Sequence, residues 1–168
     1  MALKIELLKK HHKKSGFDCG NAVLNNYLRR FASQDFKRNL SVCYVLATEN
    51  NEVIGYYTLS ALSLPYDGLP EKLRRKLPAG YGDFPVTLLG RLAIDKKYHG
   101  KGFGAMLLMD ALKISYIQSQ KITSLAVVVD PIDRQAIEFY GKYGFIQLDS
   151  GKMFIAMKTV ARLIENSI

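Results

Sequence analysis

The chain reads as a layered α/β (α+β) protein, and three features carry that expectation. Runs rich in β-branched and aromatic residues recur as VCYVLATENNEVIGYYTLSAL, VTLLGRLAID and SLAVVVD. Between them lie stretches whose apolar residues follow helical spacing. A length of 168 residues, 48% apolar and 23% charged, suits one domain able to bury about two thirds of its unfolded surface. We therefore expect a single domain over residues 1–168, with a central mixed, twisted sheet of about six or seven strands flanked by helices.

The elements follow in order. Residues 3–8 suit a short strand. GNAVLNNYLRRFASQDFKRN sets Leu24, Tyr27, Leu28 and Phe31 on one helical face and Arg30, Gln34, Lys37 and Arg38 on another. VCYVLATENNEVIGYYTLSAL reads as two strands joined at the polar Glu49–Glu52 turn. LPEKLRRKLP is a short basic helix bounded by prolines, and VTLLGRLAID a third long strand. A glycine-rich stretch then leads into a helix reaching about residue 120. SLAVVVD suits a buried strand. Residues 133–143 read as a helix with Asp133 as N-cap and Gly144 as its stop. FIQLD and MFIAMK close the chain as strands.

Charge and composition narrow the setting. Twenty-four Lys and Arg against fifteen Asp and Glu give +9. Residues 1–40 hold nine bases against three acids, and EKLRRK adds Lys72, Arg74, Arg75 and Lys76 against Glu71. Such a bias suits either a polyanionic partner or a solvated basic face. No eighteen-residue apolar window occurs and the first residues lack a signal-peptide core, so neither a membrane span nor export is expected. Cys19 and Cys43 stand far apart without CxxC spacing, which suits a reduced, cytoplasmic location.

The stretch KKYHGKGFGAMLLMDAL asks why three glycines precede a helix, at a cost of roughly 1 kcal/mol each against alanine. Bare backbone there can approach an anion held by the N–H groups at the helix start. A Walker loop fails, because no Ser or Thr follows a GK pair at the right spacing. The loose GxGxxA of Gly100–Ala105 lacks a glycine at the strand end and an acid about 20 residues on, which argues against a dinucleotide site. Neither GxSxG nor HExxH occurs, and the adjacent His11 and His12 lack ligand spacing, so no metal is expected.

Lys97-Tyr98-His99-Gly100-Lys101-Gly102, extended by Gly104-Ala105, resembles motif A of the GNAT acetyltransferases, R/Q-x-x-G-x-G/A, with Lys in place of Arg or Gln at residue 97. DRQAIEFYGKYGFIQL resembles their motif B through Ala136, Phe139, Tyr140, Gly144 and Phe145. The resemblance implies a GNAT domain with a V-shaped splay between the fourth and fifth strands, here LLGRLAID and SLAVVVD, and acetyl-CoA as co-substrate in the gap. It implies that the backbone of Leu92, Ala93 and Ile94 faces the pantetheine and thioester. It further implies that Lys97 and Gly100, Lys101, Gly102, Phe103, Gly104 and Ala105 hold the pyrophosphate. Tyr140, which also lines the cofactor site, stands where relatives place the general acid. No general base can be carried over; a water relay, or an amine of low pKa such as an α-amino group at about 7.7–8.0, would remove the need for one.

SGFDCGNAVLNNYLRRFASQDFKRN resembles the N-terminal segment of the toxin acetyltransferases of type II toxin–antitoxin pairs (TacT-like), through Phe17, Cys19, Gly20, Leu24, Tyr27, Leu28, Ala32 and Asp35. The resemblance spans about residues 15–158. It implies acetylation of the amino acid carried by tRNA, neutralisation by a ribbon-helix-helix antitoxin, operator DNA reached through that complex, and a homodimer. Arg29, Arg30, Lys37, Arg38, Arg74, Arg75, Lys76 and Arg91 would then offer a polyanion its contacts. Two other readings remain open: a GNAT enzyme for a protein N-terminus, polyamine or other small amine, and an antitoxin-binding co-repressor module acting on DNA.

Overall fold

The computed structural model describes residues 2–166. Among them run seven strands: β1 (Leu3–Leu7), β2 (Val42–Thr48), β3 (Val53–Pro65), β4 (Asp83–Ile94), β5 (Ala126–Val129), β6 (Ile146–Gln147) and β7 (Met153–Ala156). The helices are α1 (Ala22–Asn26), α2 (Ala32–Lys37), α3 (Glu71–Arg74), α4 (Phe103–Ser119), α5 (Arg134–Lys142) and α6 (Met157–Asn166). A π turn over Tyr27–Phe31 joins α1 to α2. The strands form one sheet in the order β1-β2-β3-β4-β5-β7-β6. The pairs β1–β2, β2–β3, β5–β7 and β6–β7 are antiparallel.

Within this mixed α/β domain the chain divides into two compact units, residues 1–60 with 89–111 and residues 61–88 with 112–168. In the first, the β2–β3 hairpin turns through Asn51, whose φ of 64° is one that asparagine tolerates better than most residues. Its core gathers Phe17, Tyr27, Leu28, Val45, Tyr56 and Ala93. Register sets Tyr44 opposite Tyr57, and their rings stack 5.2 Å apart. The Tyr57 hydroxyl donates to Asp110 Oδ2 at 2.6 Å, tying β3 to α4. In the second unit Leu64, Leu69, Phe84, Val86, Ala126, Val128 and Phe154 form the core. There α5 is capped as expected: Asp133 accepts from the Ala136 N–H, and Gly144 follows with φ of 97°.

Three local expectations are corrected. MFIAMK does not end as a strand: β7 stops at Ala156 and α6 begins at Met157, where Met157 and Val160 recur at helical spacing and both are buried. Phe31 does not join the buried face. In the π turn the Ala32 N–H reaches back five residues to the Tyr27 carbonyl, so Ala32 takes the core position at 1% exposure while Phe31 lies 45% exposed. The second strand of the hairpin does not stop at Leu62, where the β-rich run ends, but continues as β3 as far as Pro65.

The Tyr57–Asp110 bond is testable by Tyr57→Phe. The substitution keeps the stacked ring but leaves a half-buried carboxylate short of a donor. A loss of about 1–3 kcal/mol in unfolding free energy is expected, read as a lower urea midpoint at unchanged m-value.

Candidate active site

Where β4 ends, Asp95 starts a tight turn, its Oδ1 accepting from the Lys97 N–H at 2.9 Å. The chain then passes Gly100 and Gly102, with φ of 76° and 82°, a conformation that side chains disfavour. A Cβ at either glycine would meet nothing within 4 Å, so the need is conformational and both positions border open space. The first turn of α4 closes from the Met106 N–H to the Gly102 carbonyl at 3.1 Å. The N–H groups of Phe103, Gly104 and Ala105 lie ahead of that bond, where a helix has no carbonyl of its own to offer them. Lys97 and Lys101 are exposed beside them, Lys101 Nζ lying 5.7 Å from the centre of the Tyr98 ring. These residues can hold a diphosphate through backbone N–H groups at a positive helix end.

The turn is fixed from below by a network that sequence reading left without a role. Asp95 is 2% exposed, and its Oδ2 accepts from the Asp18 N–H at 3.1 Å while its own N–H donates to the Ile54 carbonyl at 2.8 Å. The Lys96 N–H donates to the Asp18 carbonyl at 2.9 Å. The Asp18 carboxylate accepts from the Gly20 N–H at 2.9 Å and Asn25 Nδ2 at 3.0 Å, and pairs with Lys96 Nζ at 3.0 Å. Asn25 Oδ1 accepts from the Cys19 N–H at 2.8 Å. The Gly20 N–H, with Lys96 and Asn25, holds the Asp18 carboxyl down to about 2. The Phe17–Gly20 segment thus straps the start of α1 to the end of β4. His99 is also committed: its Nε2 donates to the Ile94 carbonyl at 2.7 Å. Leu92, Ala93 and Ile94 form the last residues of β4, leading into this turn.

Tyr140 lies near the end of α5, 8% exposed, its ring 5.3 Å from that of Phe145 and 5.2 Å from that of Phe139. Its hydroxyl makes no hydrogen bond among the described residues. Burial pushes the phenol's pKa above the ordinary tyrosine range, so at neutral pH it holds its proton and gives it up only to a strongly basic group formed within hydrogen-bond reach.

The predicted RNA-facing bases fare differently. Arg29 spends its guanidinium on the Phe17 carbonyl at 3.0 Å and the Ser15 carbonyl at 3.5 Å. Arg74 donates to the carbonyls of Leu69 at 2.9 Å and Asp67 at 3.3 Å, and Arg75 pairs with Glu71 at 2.8 Å. Arg30, Lys37, Arg38 and Lys76 are exposed. Arg91 is half-buried and lies over the Tyr27 ring. Arg29, Arg30, Lys37, Arg38 and Arg91 belong to the first compact unit, and Arg74, Arg75 and Lys76 to the second.

Folding gathers Glu6, His11 and His12 within 4.8 Å, a cluster the sequence spacing did not suggest. The tautomer decides its chemistry. His12 Nδ1 accepts from the Lys9 N–H at 2.9 Å, so the ring proton sits on Nε2 and faces Glu6 Oε1 at 2.8 Å. A metal would need that nitrogen bare, so the cluster is a hydrogen-bonded strut.

Two outcomes test the strap. Asp18 contributes stability fully at pH above the ordinary carboxylate range near 4, and that contribution is lost as pH falls toward about 2. Asp18→Asn should therefore flatten the acid limb of a Tm-against-pH curve between about pH 4 and 2. Asp95→Asn turns an NH2 toward a backbone N–H donor and should cost about 1–3 kcal/mol by urea denaturation.

The chain matches the Acetyltransferase (GNAT) family over residues 7–145. It is 31% identical over 152 residues to a tRNA-acetylating toxin of Mycobacterium tuberculosis, covering 89% of each chain. To a protein of Sinorhizobium fredii named as probable toxin TacT it is 28% identical over 163 residues, covering 91% of this chain and 90% of that one. Among solved structures it resembles a tyrosine-to-phenylalanine mutant of KacT at TM-score 0.90 and 30% identity, covering 97% of this chain and 99% of the other. AtaT complexed with acetyl-methionyl-tRNA gives 0.89 at 30% identity, with the same 97% and 99% coverage. A tyrosine-to-phenylalanine mutant of AtaT bound to the C-terminus of the antitoxin AtaR gives 0.81 at 27%, covering 96% and 98%. On its sequence motifs, its fold and this match, the chain belongs to the GNAT acetyltransferase family.

Proposed function

We propose that this protein is a toxin that transfers the acetyl group of acetyl-CoA to the α-amino group of aminoacyl-tRNA, so that the charged tRNA is lost to translation. The observation that carries the cofactor half is the loop geometry. Two left-handed glycines bordering open space lead directly into the unsatisfied N–H groups of α4. Gly100 to Ala105, with Lys97 and Lys101, hold the pyrophosphate there, each charge-assisted bond contributing about 1.5–3 kcal/mol. The backbone of Leu92, Ala93 and Ile94 receives the pantetheine and thioester.

In the reaction the substrate amine attacks the thioester carbonyl, a C–N bond forms and the C–S bond breaks. The thiolate takes the proton of Tyr140, whose buried phenol makes no hydrogen bond among the described residues. The proton shed by the amine restores the phenol, so the exchange balances as amide plus free thiol. An aminoacyl ester suits a site without a dedicated base, because an α-amino group at about 7.7–8.0 is substantially neutral at physiological pH. The RNA half rests on the excess of bases, +9 over the chain, and on relatives named for acetylating tRNA. Kinship with AtaT, solved bound to the C-terminus of its antitoxin AtaR, supports an antitoxin partner; that this partner is of the ribbon-helix-helix type and the toxin a homodimer is our extension from the family resemblance.

The test is direct. Labelled acetyl-CoA mixed with the protein and a charged-tRNA pool should pass label to RNA, and mild alkali should release it as acetylated amino acid. Tyr140→Phe should cut the transfer rate at least about 100-fold while acetyl-CoA affinity by calorimetry stays within about twofold. Label reaching free amines or protein N-termini but not RNA would overturn the reading.

A further inference from the structure

Arg91 differs from every other base assigned to RNA contact. It is half-buried, yet neither a carboxylate nor a carbonyl of the described residues takes any of its five N–H donors. Its guanidinium carbon lies 3.4 Å above the centre of the Tyr27 ring. Face-on stacking occupies the flat side of the guanidinium and leaves its N–H edge, the part that matches a phosphate, available.

Tyr27 is itself held rigidly. Its hydroxyl donates to Asp35 Oδ2 at 2.7 Å, and its ring stacks with Tyr56 at 6.4 Å between centroids. The Tyr56 hydroxyl in turn donates to the Leu24 carbonyl at 2.7 Å. Asp35 takes the tyrosine hydroxyl rather than the guanidinium, so among the described residues Arg91 has no ion-pair partner. By contrast, Arg29 in the same unit is anchored on two carbonyls.

We propose that Arg91 is a phosphate clamp for the RNA end of the substrate, and that Tyr27, braced by Asp35, is the positioning residue that presents it. This rests on the tRNA-acetylating reading and adds to it a defined contact and a residue that acts through another. The ligand chemistry is a phosphate oxyanion. Since acetyl-CoA also carries phosphates, affinity must be measured for both sources.

The experiment measures the binding of an acceptor-stem RNA hairpin by fluorescence anisotropy across a salt series, and of acetyl-CoA by calorimetry. It compares wild type, Arg91→Ala, Arg91→Lys, Tyr27→Phe, Tyr27→Leu and the Arg91→Ala/Tyr27→Leu double variant. Arg91→Ala should weaken hairpin binding about tenfold or more and lower the salt slope by about one, with acetyl-CoA affinity unchanged. Arg91→Lys, which keeps charge without the fork, should rescue only part. Tyr27→Leu should weaken the hairpin about fivefold, Tyr27→Phe less because the stack survives, and the double variant should be no worse than Arg91→Ala alone. Arg91→Ala and Tyr27→Phe keep the proposal testable if Tyr27→Leu does not fold.

A wild-type hairpin affinity and salt slope in Arg91→Ala would overturn the clamp. Loss of acetyl-CoA affinity instead would overturn its assignment to RNA, and additive Arg91 and Tyr27 effects would overturn the positioning role. A wild-type protein that binds no hairpin at all would remove the tRNA reading itself, and the clamp with it.

Discussion

A single buried carboxylate organises the site. Asp95 sits at the end of β4, where the chain must leave the sheet and start a turn, and it accepts backbone N–H groups from both the turn and the Asp18 segment. A carboxylate at 2% exposure is tolerable only because those donors meet it. In return it holds two stretches 77 residues apart in sequence in one geometry. The glycine turn and the start of α4 are built on that foundation. If these backbone N–H groups receive a diphosphate, as proposed, they bind it well only when they already point the right way, since ordering a loop on binding costs affinity.

Much of this was legible in the sequence because local chemistry dictated it. Gly100 and Gly102 announced themselves, since few other residues adopt their backbone angles. Asp133 and Gly144 marked the ends of α5 for the same kind of reason. The β-branched runs gave the strands, and the motifs around Gly100 and Tyr140 gave the family. What stayed hidden depends on tertiary contact. The Asp18–Asp95 bond has no local signature. The π turn shifts a helical face by one residue without altering the apolar pattern, so Phe31 and Ala32 exchange places unseen. Met153–Met157 is a continuous apolar run, in which no residue marks where β7 gives way to α6.

The basic residues show the limit of reading charge by composition. Arg29, Arg74 and Arg75 look equivalent to Arg91 in the sequence, yet the first two brace backbone carbonyls and the third pairs with Glu71. Only the fold tells an arginine committed to structure from one kept unpaired against an aromatic face. An excess of positive charge guides a polyanion toward the protein, whereas register on it comes from the few groups held in fixed orientation.

The most direct measurement is amide hydrogen exchange across the glycine turn with and without coenzyme A. Slowed exchange centred on Gly102, Phe103, Gly104 and Ala105, and weakened by Asp95→Asn, is the expected result. Coenzyme A binding with protection elsewhere and none at these amides would contradict the view that the turn is a preformed diphosphate cradle.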